Sequence, residues 1–271
     1  LGQAEYGIYR LSGTIVSYLL LLDLGVGNAS VRFLAKYRAN NNLEQSKRFF
    51  GVSLLYYSGI AIVALIIGII CVIVYPTVFA KGFTQAEIIH GQKLLGITML
   101  STCITLATSP FTSSVIAYEK FAISKGSSII TTILKIAFTY IALKLGLGSF
   151  GIVLVHLVLT VVNKVFIILY VLFKIKLLPI LKGVNFAFIK EIIGYSTFIL
   201  LQMIATQINT GIGHIMLGAL VSSSAAIIGI YSIGTQVVQY YQSIGTSVTG
   251  ILMPGVVKLV ESQSSPKRMC D

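Results

Sequence analysis

Seven apolar stretches, each long enough to cross a hydrocarbon layer as a helix, follow one another along the chain: 6–27, 49–75, 91–118, 123–145, 151–173, 195–220 and 225–257. A bilayer core of about 30 Å requires about 20 such residues at 1.5 Å per residue. Charged residues make up only 10% of the chain and the mean hydropathy is +0.92, whereas a soluble domain carries about 25% charge. In lipid every backbone polar group must be satisfied inside the protein, so spans of this length must be helices. The fold class expected is an all-α membrane protein, a multi-span helical bundle.

The net charge of +12 and pI near 9.6 would suit a nucleic-acid binder if the basic residues formed a patch. They do not. Four segments hold 14 of the 20: Arg32, Lys36, Arg38, Lys47 and Arg48 in 28–48; Lys120 and Lys125 in 119–125; Lys174, Lys176, Lys182 and Lys190 in 174–190; and Lys258, Lys267 and Arg268 in the tail. The intervening connections 76–90, 146–150 and 221–224 hold only Lys81. This alternation places the basic connections on the cytoplasmic side by the positive-inside rule. Nucleic acid is therefore not an expected partner; the lipid bilayer is. Cys71, Cys103 and Cys270 are unclustered, which fits neither a disulfide framework nor a metal site. No Walker loop, Ser–His–Asp arrangement or cluster of metal-ligating residues is present. The reading is a transporter rather than an enzyme, with no catalytic residue, metal or cofactor expected.

The chain begins at Leu1, in what reads as a loop. Basic connections inside place residues 1–5 outside, which calls for one preceding span and makes the chain read as an incomplete transporter. An internal repeat adds detail. GIYRLSGTIVSY at 7–18 aligns with GIYSIGTQVVQY at 229–240, pairing Gly7 with Gly229, Tyr9 with Tyr231, Val16 with Val238 and Tyr18 with Tyr240. An even number of spans separates the two starts, so the copies have the same orientation, as parallel repeats do. The expected organisation is an N-terminal lobe over 1–173, a cytoplasmic linker over 174–190 with an amphipathic portion, and the start of a C-terminal lobe over 191–271.

Polar residues recur at spacings of three and four, which gather them on single helix faces. The stripes are Thr98, Thr102, Thr105, Ser109 and Thr112; Ser128, Thr132, Lys135 and Thr139; Gln202, Thr206, Asn209 and Gly213; and Ser232, Gln236, Gln239, Ser243, Thr246 and Gly250. Small residues also serve close helix packing, while the Gln and Asn members suit a hydrated cavity better. Lys135 and Lys164 are the sharper signal. Each stands about 12 or 13 residues into its span, roughly 18–20 Å deep, too far to snorkel. Charges at that depth face a bundle interior or a water-filled cavity. With no carboxylate at comparable depth, the cavity favours an anion.

His156, Asn163 and Lys164 add polarity to 151–173, with His156 and Lys164 expected on different faces. Arg10 lies a turn inside the outer end of its span. Asp23 lies a turn inside the inner end, where a Lys or Arg is its expected partner. Asp23 and His214 are the candidates for coupling to an ion. Pro110 and Pro254 are read either as hinges or as marks of helix ends.

The stretch Glu5 to Tyr37, with Gly7-Ile8-Tyr9 near the outer end and Asp23-Leu24-Gly25 at the inner end, resembles the second-helix signature of the polysaccharide transporters, the Wzx-type O-antigen and capsule flippases. These belong to the MOP, or MATE-like, exporter superfamily. Ser109 to Lys125 is similar to that family's fourth-to-fifth helix junction. The resemblance implies a two-lobed bundle of 12–14 helices working by alternating access in the bacterial cytoplasmic (inner) membrane. It implies export of undecaprenyl-pyrophosphate-linked oligosaccharide repeat units, with a polysaccharide polymerase and assembly proteins as further partners. Lys135, Lys164 and Arg10 would then supply the positive field of a cavity between the lobes, and Gln202, Asn209, Gln236 and Gln239 its polar lining for sugar hydroxyls. A lipid II or teichoic-acid precursor flippase, a drug or cation antiporter of the same fold, and a membrane glycan polymerase or glycosyltransferase are the competing readings.

Overall fold

In the computed structural model, residues 1–180, 187–221 and 224–261 are described, with side chains for 1–180, 201–221 and 225–243. Cys270 and the amphipathic portion of the linker at 181–186 lie outside them. The described regular structure is helical: α1 (Gln3–Leu19), α2 (Val26–Ala39), α3 (Leu43–Phe79), α4 (Gln85–Ala107), α5 (Ser109–Ala117), α6 (Phe121–Lys144), α7 (Gly148–Tyr170), α8 (Ala187–Leu220) and α9 (Ser224–Glu261). Four helices among the described residues are long and apolar enough to span a membrane, or five if α4 and α5 count as one bent span. The protein is thus a multi-pass, all-α membrane protein. The remaining two expected spans fall on α8 and α9, which are 34 and 38 residues long.

Several expected boundaries shift for local reasons. The N-terminus is not a loop, because α1 starts at Gln3 with Glu5 in its first turn, where a carboxylate favours the helix dipole. Span 6–27 is broken near its end. A short 3-10 turn over Leu20–Asp23 leads into Leu24 and Gly25, both left-handed with φ of 52° and 74°. Helix α3 outruns its expected span at both ends, capped by the Asn42 carboxamide at Gln45 N–H (3.0 Å) and continuing through Pro76 to Phe79. That shrinks the outer connection from 76–90 to residues 80–84. Span 91–118 is two helices meeting at a 44° bend. Pro110 sits in the first turn of α5, where its missing N–H costs nothing. It marks a helix start rather than a kink within a helix, and Pro254 lies inside α9.

Three helix ends share one termination. Asn41, Glu119 and Gly146 take positive φ, and paired bonds wrap back over the last turn, such as Asn42 N–H to Tyr37 O and Asn41 N–H to Arg38 O. This is the Schellman pattern, and it sets compact turns between α2 and α3, α5 and α6, and α6 and α7.

The chain divides into two compact units, the first Leu1–Gly229 and the second beginning at Ile230. Within the first, one apolar core gathers Ile8, Leu11, Tyr75, Phe79, Phe83, Leu94, Leu95 and Ile228. A second joins Phe33, Leu34, Tyr37, Phe49, Phe50, Tyr57, Val115 and Leu177, with Phe50 edge-on to Phe111 at 5.2 Å. Many other apolar residues face outward. On α3 the exposed set includes Ile62, Ile66, Ile69, Ile70 and Ile73, and on α6 Ile129, Ile130, Ile133 and Ile136. Such surfaces are stable only against hydrocarbon.

Gly7 and Gly229, the pair aligned by the repeat, meet in space. A Cβ on Gly7 would overlap the Ala225 carbonyl, and one on Gly229 the Gln3 carbonyl. The start of α9 therefore crosses α1 at backbone contact, the role small residues play between membrane helices. Gly7→Ala should destabilise the protein by about 1–3 kcal/mol, read as a lower Tm in detergent. Gly13→Ala, where a Cβ meets nothing within 4 Å, should leave Tm unchanged.

Candidate functional site

The polar stripes of α4 and α6 owe their stability in an apolar setting to their own helices. Thr98, Thr102, Thr105 and Thr108 each donate a hydroxyl hydrogen bond to the carbonyl four residues back, at 2.7–3.1 Å. Ser128, Thr131 and Thr132 do the same on α6. This back-bonding satisfies each hydroxyl proton locally, so the oxygens can line a concavity at no cost in unpaired donors.

Between α4, α6 and α7 lies a cavity of about 430 Å³ lined by Ser101, Thr102, Thr105, Ser128, Thr131, Thr132, Lys135, His156, Thr160, Asn163 and Lys164, with Leu20 at its edge. Lys135 and Lys164 are thus brought together, both partly buried. Lys164 Nζ donates to Thr112 Oγ1 on α5 at 3.3 Å. Lys135 makes no hydrogen bond or ion pair among the described residues. Asn163 donates to Thr131 Oγ1 at 2.8 Å, and His156 Nδ1 lies 3.3 Å from Ser101 Oγ. Among the described residues no carboxylate lines the cavity. Two ammonium groups without a counter-charge, flanked by hydroxyls and an amide, form a setting that suits an anion.

The remaining candidates lie elsewhere. His156 and Lys164 share this cavity rather than occupying separate faces: eight residues turn an ideal helix by about 80°, and the cavity wall spans that arc. Arg10 does not line it. Its charge instead acts on His214 of α8, which is buried and bonded to the Thr210 backbone. Gln202 and Asn209 are exposed on α8. The packing face of α8 is another one, where Gly211 lies against Tyr18 and Gln207 donates to Ser17 Oγ. Gln236 and Gln239 belong to the second unit, where Gln236 Nε2 donates to Tyr240 Oη at 2.8 Å. Lys135 and Lys164 line a cavity inside the first unit.

Asp23 also departs from expectation. Its partners are not cations. Tyr57 Oη of α3 donates to Oδ1, and the Gly27 N–H donates to Oδ2 at 3.4 Å. The carboxylate thereby caps α2 after the left-handed break and pins it to α3.

A further cluster had no signal in spacing. Glu5 Oε1 accepts from the Ser149 N–H at 2.6 Å and from the Ser149 hydroxyl at 2.9 Å. With that proton committed, Ser149 Oγ accepts from His90 Nε2 at 2.7 Å. Gly148, at φ +55°, could not carry a side chain here without striking Glu5. This cluster joins the N-terminal ends of α1, α4 and α7. The three helices therefore run in the same direction, in line with the alternation of basic connections.

Fold and site together define a multi-pass helical membrane protein with a cavity lined by two lysines and, among the described residues, no carboxylate. Residues 1–260 match the family described as polysaccharide biosynthesis protein. The chain belongs to that family, and its role lies in polysaccharide biosynthesis. No curated protein and no solved structure matches the chain.

Replacing Tyr57 with Phe removes one bond and leaves a partly buried carboxylate short of a donor. That should cost about 1–3 kcal/mol, measured as a lower Tm, and Asp23→Asn should recover part of the loss in the Tyr57→Phe background by removing the charge.

Proposed function

We propose that this protein is a flippase that moves an undecaprenyl-pyrophosphate-linked oligosaccharide repeat unit across the bacterial cytoplasmic membrane, for O-antigen or capsule assembly. The observation that carries the reading is the paired placement of Lys135 and Lys164 in a cavity without a carboxylate, in a chain of the polysaccharide biosynthesis family. A lipid-linked glycan has one feature that is always anionic, its pyrophosphate, and that group must leave water to change leaflets. Two ammonium groups at mid-depth offset its desolvation, while the polyprenyl chain stays in lipid.

The cavity volume of about 430 Å³ falls in the range of small-molecule sites, about 300–1,000 Å³. It suits the headgroup phosphates rather than a whole oligosaccharide. Gln202, Asn209, Gln236 and Gln239 remain the proposed hydrogen-bonding groups for sugar hydroxyls, with Arg10 nearer the outer end. Asp23 and His214 are the proposed coupling groups, and polymerase and assembly proteins the proposed partners.

A drug or cation antiporter would place a carboxylate where these lysines stand, and none of the cavity-lining residues is acidic. A lipid II or teichoic-acid precursor carries a comparable anionic headgroup and would use the same cavity. Transport by alternating access requires no covalent step, so the lysines act as binding groups rather than as an enzyme's catalysts.

Lys135→Gln with Lys164→Gln, introduced into the protein in its native host, should abolish surface glycan display while membrane levels of the protein stay normal. Normal display at normal levels removes the lysines from the mechanism.

A further inference from the structure

The two backbone breaks of the first unit lie at the heads of two helices that are fastened to each other. Helix α2 follows the left-handed pair Leu24–Gly25, and α5 follows the 44° bend from α4. Ser113 Oγ of α5 donates to the Gly27 carbonyl of α2 at 3.3 Å. At the other end Arg38 of α2 donates to the Ala117 carbonyl at 3.3 Å. It also pairs with Glu119 at 3.3 Å and lies over the Tyr118 ring at 5.4 Å. The two helices are thus joined along their length, each preceded by a break in the helical backbone. Helix α5 also carries Thr112, whose hydroxyl holds the Lys164 ammonium of the cavity.

The two cavity lysines are therefore not equivalent. Lys135 has no described hydrogen-bonding partner and stands free to meet an incoming anion. Lys164 is committed to α5. We propose that Thr112 is a positioning residue that tethers the α2–α5 pair to the cavity through Lys164, and that anion binding releases the tether. The inference rests on the anion reading given above and adds to it how occupancy is reported to the inner end of the bundle. An anion oxygen outcompetes a neutral hydroxyl for an ammonium, because it adds the attraction of a full opposite charge to the hydrogen bond. Once the ammonium turns to the anion, α5 loses its polar link to α7 and keeps only the apolar packing of Val115 and Ala117 with Ile167, so its first turn loosens at Thr108, beside the Ser113 bond to α2. A ligand shifts such an equilibrium only through differential contact with the two states. Here the differential contact is the choice of Lys164 between Thr112 and the anion.

The test is hydrogen–deuterium exchange over peptides covering 109–120 in the purified intact protein in lipid nanodiscs, with and without inorganic pyrophosphate. Binding is followed in parallel by calorimetry. In the wild type, saturating pyrophosphate should speed exchange in this segment by about tenfold, the opening expected from loss of one charge-assisted bond. Thr112→Val should show the fast rate without ligand, still bind pyrophosphate, and give no further response. Thr112→Ser, which keeps the hydroxyl, should behave as wild type; a purely structural role for the side chain would not produce that rescue together with a lost ligand response. Unchanged exchange in Thr112→Val overturns the tether. Pyrophosphate that binds the wild type without altering exchange in 109–120 overturns the release while leaving the anion reading intact. A fast Thr112→Val with no pyrophosphate binding to the wild type overturns the anion reading and the release with it, and keeps the tether alone.

Discussion

An ammonium group at the middle of a bilayer costs several kcal/mol unless polar surroundings replace its water. The cavity of the first unit is lined by two of the lysines that the sequence sets deep within apolar spans. Serines and threonines that bond their own helix backbones line α4 and α6, so the cavity walls are polar without containing a counter-charge. Helix α7 supplies His156, Asn163 and Lys164, and α5 supplies the one hydroxyl that takes up Lys164. Removing the lysines would leave a bundle with little reason to keep so many hydroxyls at this depth.

The ends of the bundle are held by different chemistry. At one end Glu5, Ser149 and His90 join the N-termini of α1, α4 and α7. At the other, Asp23 and Tyr57 fix the break before α2, and Arg38 joins α2 to α5. The chain leaving α7 returns to the same end, where the Ile180 N–H donates to the Lys47 carbonyl at 3.2 Å. Helix direction inferred from the basic connections agrees with both sets of contacts, and the first set uses none of the residues from which the inference was drawn.

What could be read beforehand follows from which forces act locally. Apolarity in lipid is absolute, so the spans and their all-α nature were legible, as were Lys135 and Lys164, since charge at mid-depth has few permitted environments. Backbone breaks were not: Leu24 carries no mark of a left-handed residue, and Pro110 reads equally as a hinge or a helix end until α5 is known to begin beside it. The span expected to end at residue 75 continues through Pro76 to Phe79. The tertiary pairs were hidden for another reason. Asp23 with Tyr57 and Glu5 with Ser149 join distant helices, and no periodicity within one helix encodes a partner on another. Lys135 and Lys164 could be named singly, but their common cavity depended on how α6 packs against α7. On α8 the spacing did not mark Gln207 and His214, which lie outside the polar stripe and are turned inward.

The central claim is that paired lysines bind an anionic headgroup inside the first unit. Equilibrium titration of inorganic pyrophosphate into the intact protein in nanodiscs, run at several salt concentrations, addresses it most directly. The account predicts saturable binding that weakens with salt and loses at least about tenfold in affinity, about 1.4 kcal/mol, when Lys135 and Lys164 both become Gln. Binding of equal strength in wild type and double variant would contradict it.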